Sequence, residues 1–145
     1  MYRWILIGLV CMVTACDQEQ PINLEAPQNK FILCKGSTLY LNNGEKWQAN
    51  TETTQRIDDM IARTNAFADS SDLDAYHALA NHLKEDYIYI FEHCTIMGNA
   101  HEMLHGYLYP LYELITPMQI GGETTCANQL TKLKEHLALY HTYFI

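Results

Sequence analysis

Residues 73–96 read LDAYHALANHLKEDYIYIFEHCTI. Tyr76, Leu79, Leu83, Tyr87, Ile90 and Cys94 recur at intervals of three and four. At about 100° per residue this spacing collects them on one stripe, whereas a half-buried strand would alternate. Ser70-Ser71-Asp72 supplies a helix-capping signal in front of the run, and acidic residues follow in the first turn. Gly98-Asn99 is the next break. The stretch therefore predicts a long amphipathic helix from about Leu73 to Ile96.

The same period continues on both sides. Toward the C-terminus a third helix is predicted over about Ala100 to Ile115, with a kink or early stop at Pro110. Thr116-Pro117 and Gly121-Gly122 make the next connection. A fourth helix runs from Glu123 or Thr124 to about Tyr143, turning Cys126, Leu130, Leu133, Leu137 and Tyr140 inward. Toward the N-terminus, Thr53 or Thr54 opens a first helix that ends near Ala68 and carries Ile57, Met60, Ile61 and Phe67 inward. Ahead of it, Phe31–Cys34 and Thr38–Leu41 are strand-like, Asn43-Gly44 is a turn signal, and Trp47 is a core plug. The predicted class is all-α: an antiparallel four-helix bundle with a short extended or hairpin N-terminal segment.

The chain begins MYRWILIGLVCMVTAC. One early cation, Arg3, precedes an apolar run from Trp4 to Val13, which is too short for the roughly 20 residues of a membrane span. Val13-Thr14-Ala15-Cys16 resembles the lipobox of bacterial lipoproteins, in which the cysteine is lipidated and becomes the new N-terminus. That resemblance implies a removed signal peptide, residues 1–15, and a diacylglycerol plus an acyl chain such as palmitate on Cys16, anchoring the protein in the bilayer. Asp17 resembles an inner-membrane retention signal, so the expected place is the periplasmic side of a bacterial membrane. Residues 16–29 form a polar, proline-bearing tether, and residues 30–145 a single domain. Loss of Arg3 with the signal takes the formal charge from −8 to −9. Such acidity without a basic cluster argues against nucleic acid. Cys34, Cys94 and Cys126 remain, and the sequence does not choose a disulfide pair among them.

Residues 101–105, HEMLH, match the H-E-x-x-H pattern of zinc proteases, in which His101 and His105 would hold the ion and Glu102 would polarise water. The companion motifs are missing: Leu108 stands where a metzincin has glycine, and no second-motif glutamate is recognisable. The wider stretch Cys94–His105 sets Cys94, Met97, His101 and His105 at offsets 0, 3, 7 and 11, within one helical stripe aimed at the core. Cys94 and His105 would lie about 16 Å apart on a straight helix, so one ion cannot take all four. The two histidines could be completed by His136, His82 or Cys126; Cys94 and Met97 could form a second site; or the break at Gly98-Asn99 could fold Cys94 and Met97 back toward His101. Thiol, thioether and imidazole suit copper, and the histidine pair with a carboxylate suits zinc. Haem b held by His and Met inside a bundle is a further alternative. The tyrosines and phenylalanines of residues 87–112 and 140–144 read as packing, with a surplus that could form a protein-binding surface.

LNNGEKW (Leu41–Trp47) together with CTIMGNAHEMLH (Cys94–His105) is similar to small exported helical proteins of Gram-negative bacteria. The resemblance spans most of the mature chain and implies an exported helical domain, without an activity. The sequence thus leads to a membrane-anchored lipoprotein, a non-enzymatic metal-binding bundle of copper or zinc class. The alternative is a structural or interaction lipoprotein without metal, and an H-E-x-x-H metalloprotease or haem carrier stands behind both.

Overall fold

The computed structural model describes residues 31–32, 38–68 and 72–145, so the signal segment, Cys16, the tether and Cys34 lie outside the described residues. The described chain is predominantly helical. Strands β1 (Phe31–Ile32) and β2 (Thr38–Leu39) pair antiparallel, with Phe31 opposite Leu39. Helices α1 (Thr51–Ala66), α2 (Leu73–His93), α3 (Asn99–Ile115) and α4 (Glu123–Leu137) follow, then the single turn α5 (Tyr140–Tyr143). A 3₁₀ turn, Thr116–Gln119, continues α3. Among the described residues no helix is long and apolar enough to cross a membrane.

Each helix buries the face its period assigns. Ile57 and Met60 of α1, Tyr76, Leu79, Leu83 and Ile90 of α2, and Cys126, Leu130, Leu133 and Leu137 of α4 are buried. Burying a large apolar side chain contributes about 1.5–3 kcal/mol. Helix α1 packs on α2 and α4, and α3 packs on the same two helices. The Asp72 carboxylate accepts from the backbone N–H of Asp74 and Ala75, starting α2 as expected. Asp86 is 6% exposed and meets the guanidinium groups of Arg56 at 3.3 Å and Arg63 at 3.5 Å, tying α1 to α2. Burial raises its pKa and the two arginines oppose that rise.

Trp47 is buried as predicted, and backbone pairing with the C-terminus holds it there. Its N–H donates to the Tyr143 carbonyl at 2.7 Å, its carbonyl accepts from Ile145, and its indole donates to the Tyr40 carbonyl. Asn42 and Glu45 exchange two backbone hydrogen bonds around Asn43 and Gly44, both at positive φ, which is the tight turn the Asn-Gly pair signals.

Helix α3, Asn99–Ile115, agrees with the expected Ala100–Ile115 and does not stop at Pro110, although proline removes the N–H that the Gly106 carbonyl would have received. A bond from α4 supports the preceding turn. His136 Nε2, buried, lies 2.8 Å from the Tyr107 carbonyl and donates to it, and the rings of Tyr107 and His136 stack at 4.8 Å. In return the Tyr107 hydroxyl donates to the Leu137 carbonyl at 3.3 Å. Two boundaries differ. Helix α2 ends at His93, where Cys94 turns extended with φ −70° and ψ 113°. Helix α4 ends at Leu137, because the Leu139 N–H reaches back to His136 and tightens the last turn.

Removing one partner of this exchange leaves a buried acceptor. Tyr107→Phe is expected to cost about 1–2 kcal/mol in urea unfolding, with the helical content unchanged. Burial also depresses the His136 pKa, so its neutral form belongs to the folded state. The stability it contributes is complete above the unfolded-state value of about 6.5 and declines as pH falls below it. The stability gap between wild type and His136→Gln should therefore narrow from about pH 7.5 to about pH 5.5.

Candidate metal centre

The site grows out of the turn between α2 and α3. The Asn50 amide donates to the His93 carbonyl at 3.2 Å and closes the end of α2. The chain then runs extended from Cys94 and reverses at Gly98, with φ 67° and ψ −148°, backbone that only glycine adopts without strain. The Gly98 carbonyl accepts from His101 N at 3.0 Å and Glu102 N at 3.2 Å, which starts α3 and places His101 in its first turn.

This reversal brings Cys94 Sγ to 3.6 Å from His101 Nδ1. One turn further along α3, the His105 ring lies against His101 with centroids 4.1 Å apart and planes tilted by 41°. Phe91 of α2 meets His105 edge-on at 4.9 Å, and Tyr109 closes its other side at 6.1 Å. All three donors are half-buried. Burial, reinforced by the neighbouring His101, holds the His105 pKa below the ordinary imidazole range. The ring makes no hydrogen bond among the described residues. The donors form a chain in which Cys94 meets His101 and His101 meets His105. Among the described residues no group of three or more His, Cys, Asp or Glu side chains stands assembled to hold an ion.

The helical stripe expected to gather four ligands in the core is not formed. Cys94 and Met97 lie in the connection and not on a helix, and Met97 is 86% exposed, outside the cluster. Of the arrangements the sequence left open, the break folds Cys94 back toward His101 and leaves Met97 in solvent. Glu102 is exposed on another face of α3 from the histidine pair. The side chains considered as completing ligands are engaged elsewhere. His136 holds the Tyr107 carbonyl, and exposed His82 faces Glu85 at 3.4 Å. Cys126 donates to the carbonyls of Met118 and Gly121, and burial raises its pKa. Cys94 and Cys126 are free thiols.

Phe91 and Tyr109 had been assigned to packing, yet they wall the histidine pair. The signal was present for one of them, since Tyr109 stands four residues after His105 on the same helix. The fold-back that the Gly98-Asn99 break offers is present for Cys94, at the positive φ of Gly98. No known protein family, curated protein or solved structure matches the chain.

A Cβ added at Gly98 meets no atom within 4 Å, so substitution there tests the backbone alone. Gly98→Ala is expected to destabilise the fold by about 1–3 kcal/mol in thermal or urea unfolding.

Proposed function

We propose that this protein is a membrane-anchored periplasmic lipoprotein that binds a metal ion of copper or zinc class through Cys94, His101 and His105, without catalysing a reaction. One observation carries the metal reading: the 3.6 Å hydrogen-bond contact of Cys94 Sγ with His101 Nδ1, with the His105 ring tilted against His101 at 4.1 Å. With metal–sulfur and metal–nitrogen bonds of about 2.3 and 2.0–2.1 Å, a tetrahedral ion spaces its two donors by about 3.5 Å and a trigonal ion by about 3.8 Å. The thiol–imidazole hydrogen bond therefore already holds the two donors at ligand spacing; an ion would replace the proton between them, with His105, one turn along α3, as the third donor we propose.

The anchor rests on the lipobox-like Val13–Cys16, and the tether on the polar residues that follow. The scaffold we propose is an antiparallel four-helix bundle with an N-terminal hairpin. The closed ring of contacts α1–α2–α3–α4–α1 and the short connections support it. A second reading, an interaction lipoprotein, is favoured by Tyr109 and Tyr112, which are 59% and 44% exposed beside the same site.

Elemental analysis of the full-length chain, purified in detergent without chelator or affinity metal, separates the two readings. Near-stoichiometric copper or zinc is expected, retained in Met97→Leu and lost in a still-helical His101→Ala/His105→Ala variant. Occupancy should fall as the solution is acidified, because protons compete with the ion for thiolate and imidazole donors. A protein that carries no metal and takes none up on titration overturns the metal reading and leaves the interaction surface. For the anchor, radiolabelled palmitate is expected in the wild type and absent from Cys16→Ser.

A further inference from the structure

We infer that the ion is monovalent copper, taken first by Cys94 and His101 and closed by His105; this deepens the metal reading of the same site and rests on it. The choice between copper and zinc turns on donor number and charge. A structural zinc site needs four donors, and a catalytic one needs three in place with an open fourth position. Here one thiol and one imidazole are in register, a second imidazole is adjacent, and no assembled group of three exists among the described residues. Monovalent copper is d¹⁰, imposes no strong geometry, and is stable with two or three soft donors. Thiolate and imidazole are donors of that kind.

Charge points the same way. One thiolate with a monovalent cation and two neutral imidazoles makes an electrically neutral centre. A divalent ion on the same ligands leaves one net positive charge among half-buried groups walled by Phe91 and Tyr109. An uncompensated charge held against apolar surface is costly. The side chain that could offset it, Glu102, is exposed on a different face of α3. The binding step balances without redox chemistry. The Cys94 S–H bond breaks, a sulfur–copper bond forms, and the proton leaves to solvent, while His101 Nδ1 gives its lone pair to the ion. Copper enters and stays in the monovalent state.

The test uses the full-length chain in detergent, kept reduced and oxygen-free. Copper is supplied in the monovalent state by the chromogenic chelator bathocuproine disulfonate, and zinc by a chromogenic zinc chelator. The wild type is expected to withdraw one equivalent of copper, to release one proton per ion, and to keep its copper against about a tenfold excess of zinc. Cys94→Ser should lose more affinity than the roughly 10–100-fold typical of an outer-shell partner. His105→Leu should keep copper with reduced affinity, and Cys34→Ser and Cys126→Ala should bind as wild type does. Circular dichroism checks that each variant is folded, and His105→Leu carries the test if Cys94→Ser is not. Zinc held in a histidine-dependent way while copper is not, or zinc displacing copper, overturns the copper assignment and leaves the metal reading standing. Copper held equally by wild type and folded Cys94→Ser also overturns it. Neither ion held overturns both.

Discussion

Helix α3 runs for 17 residues through a proline, and the rest of the molecule depends on how that helix is held. Pro110 cannot donate, so the turn before it is short of one hydrogen bond at the point where Tyr107 enters the core. The carbonyl deprived of its donor is that of Gly106; one residue on, the Tyr107–His136 exchange ties α3 to α4 with a buried imidazole N–H on the Tyr107 carbonyl and a phenol on a carbonyl at the end of α4. Tyr107 also packs against Tyr140 and Phe144, and Phe144 pairs with Trp47, so the same contact reaches the N-terminal extended segment and the C-terminus. The helix tied down in this way is the one that carries His101 and His105.

The histidines divide by environment, and the division isolates the site. His136 serves the core, and His77 Nε2 lies 3.0 Å from the Gly121 carbonyl at the α3–α4 connection. His141 pairs with Asp58 at 2.7 Å, His82 faces Glu85, and His93 bonds the Tyr89 carbonyl. Each of these five has a structural partner. The remaining two, His101 and His105, face a thiol and each other. His101 hydrogen-bonds the Cys94 thiol, while His105 makes ring contacts with His101, Phe91 and Tyr109 and no hydrogen bond among the described residues.

The helical periods of α1, α2 and α4 were legible because apolar residues at spacing three and four have no other economical place to go. Trp47 and the Asn43-Gly44 turn were legible for equally local reasons. What escaped was non-local or stereochemical. The stripe through Cys94, Met97, His101 and His105 assumed one continuous helix, and Gly98 breaks that assumption: offsets mean nothing across a residue with positive φ. His136 looked like a spare ligand because its partner, Tyr107, is 29 residues away. Pro110 signals a kink or an early stop in a helix to Ile115, and the helix reaches Ile115 without stopping.

The position of the candidate centre bears on what it can do. A site for chemistry excludes water and fixes its donors on rigid elements. Here one donor lies on a connection, two lie in the first turns of a helix, and all are half-buried at the edge of the core. The Gly98 reversal brings Cys94 to His101 from the connection, so the thiol is positioned by loop backbone while the two imidazoles are positioned by α3.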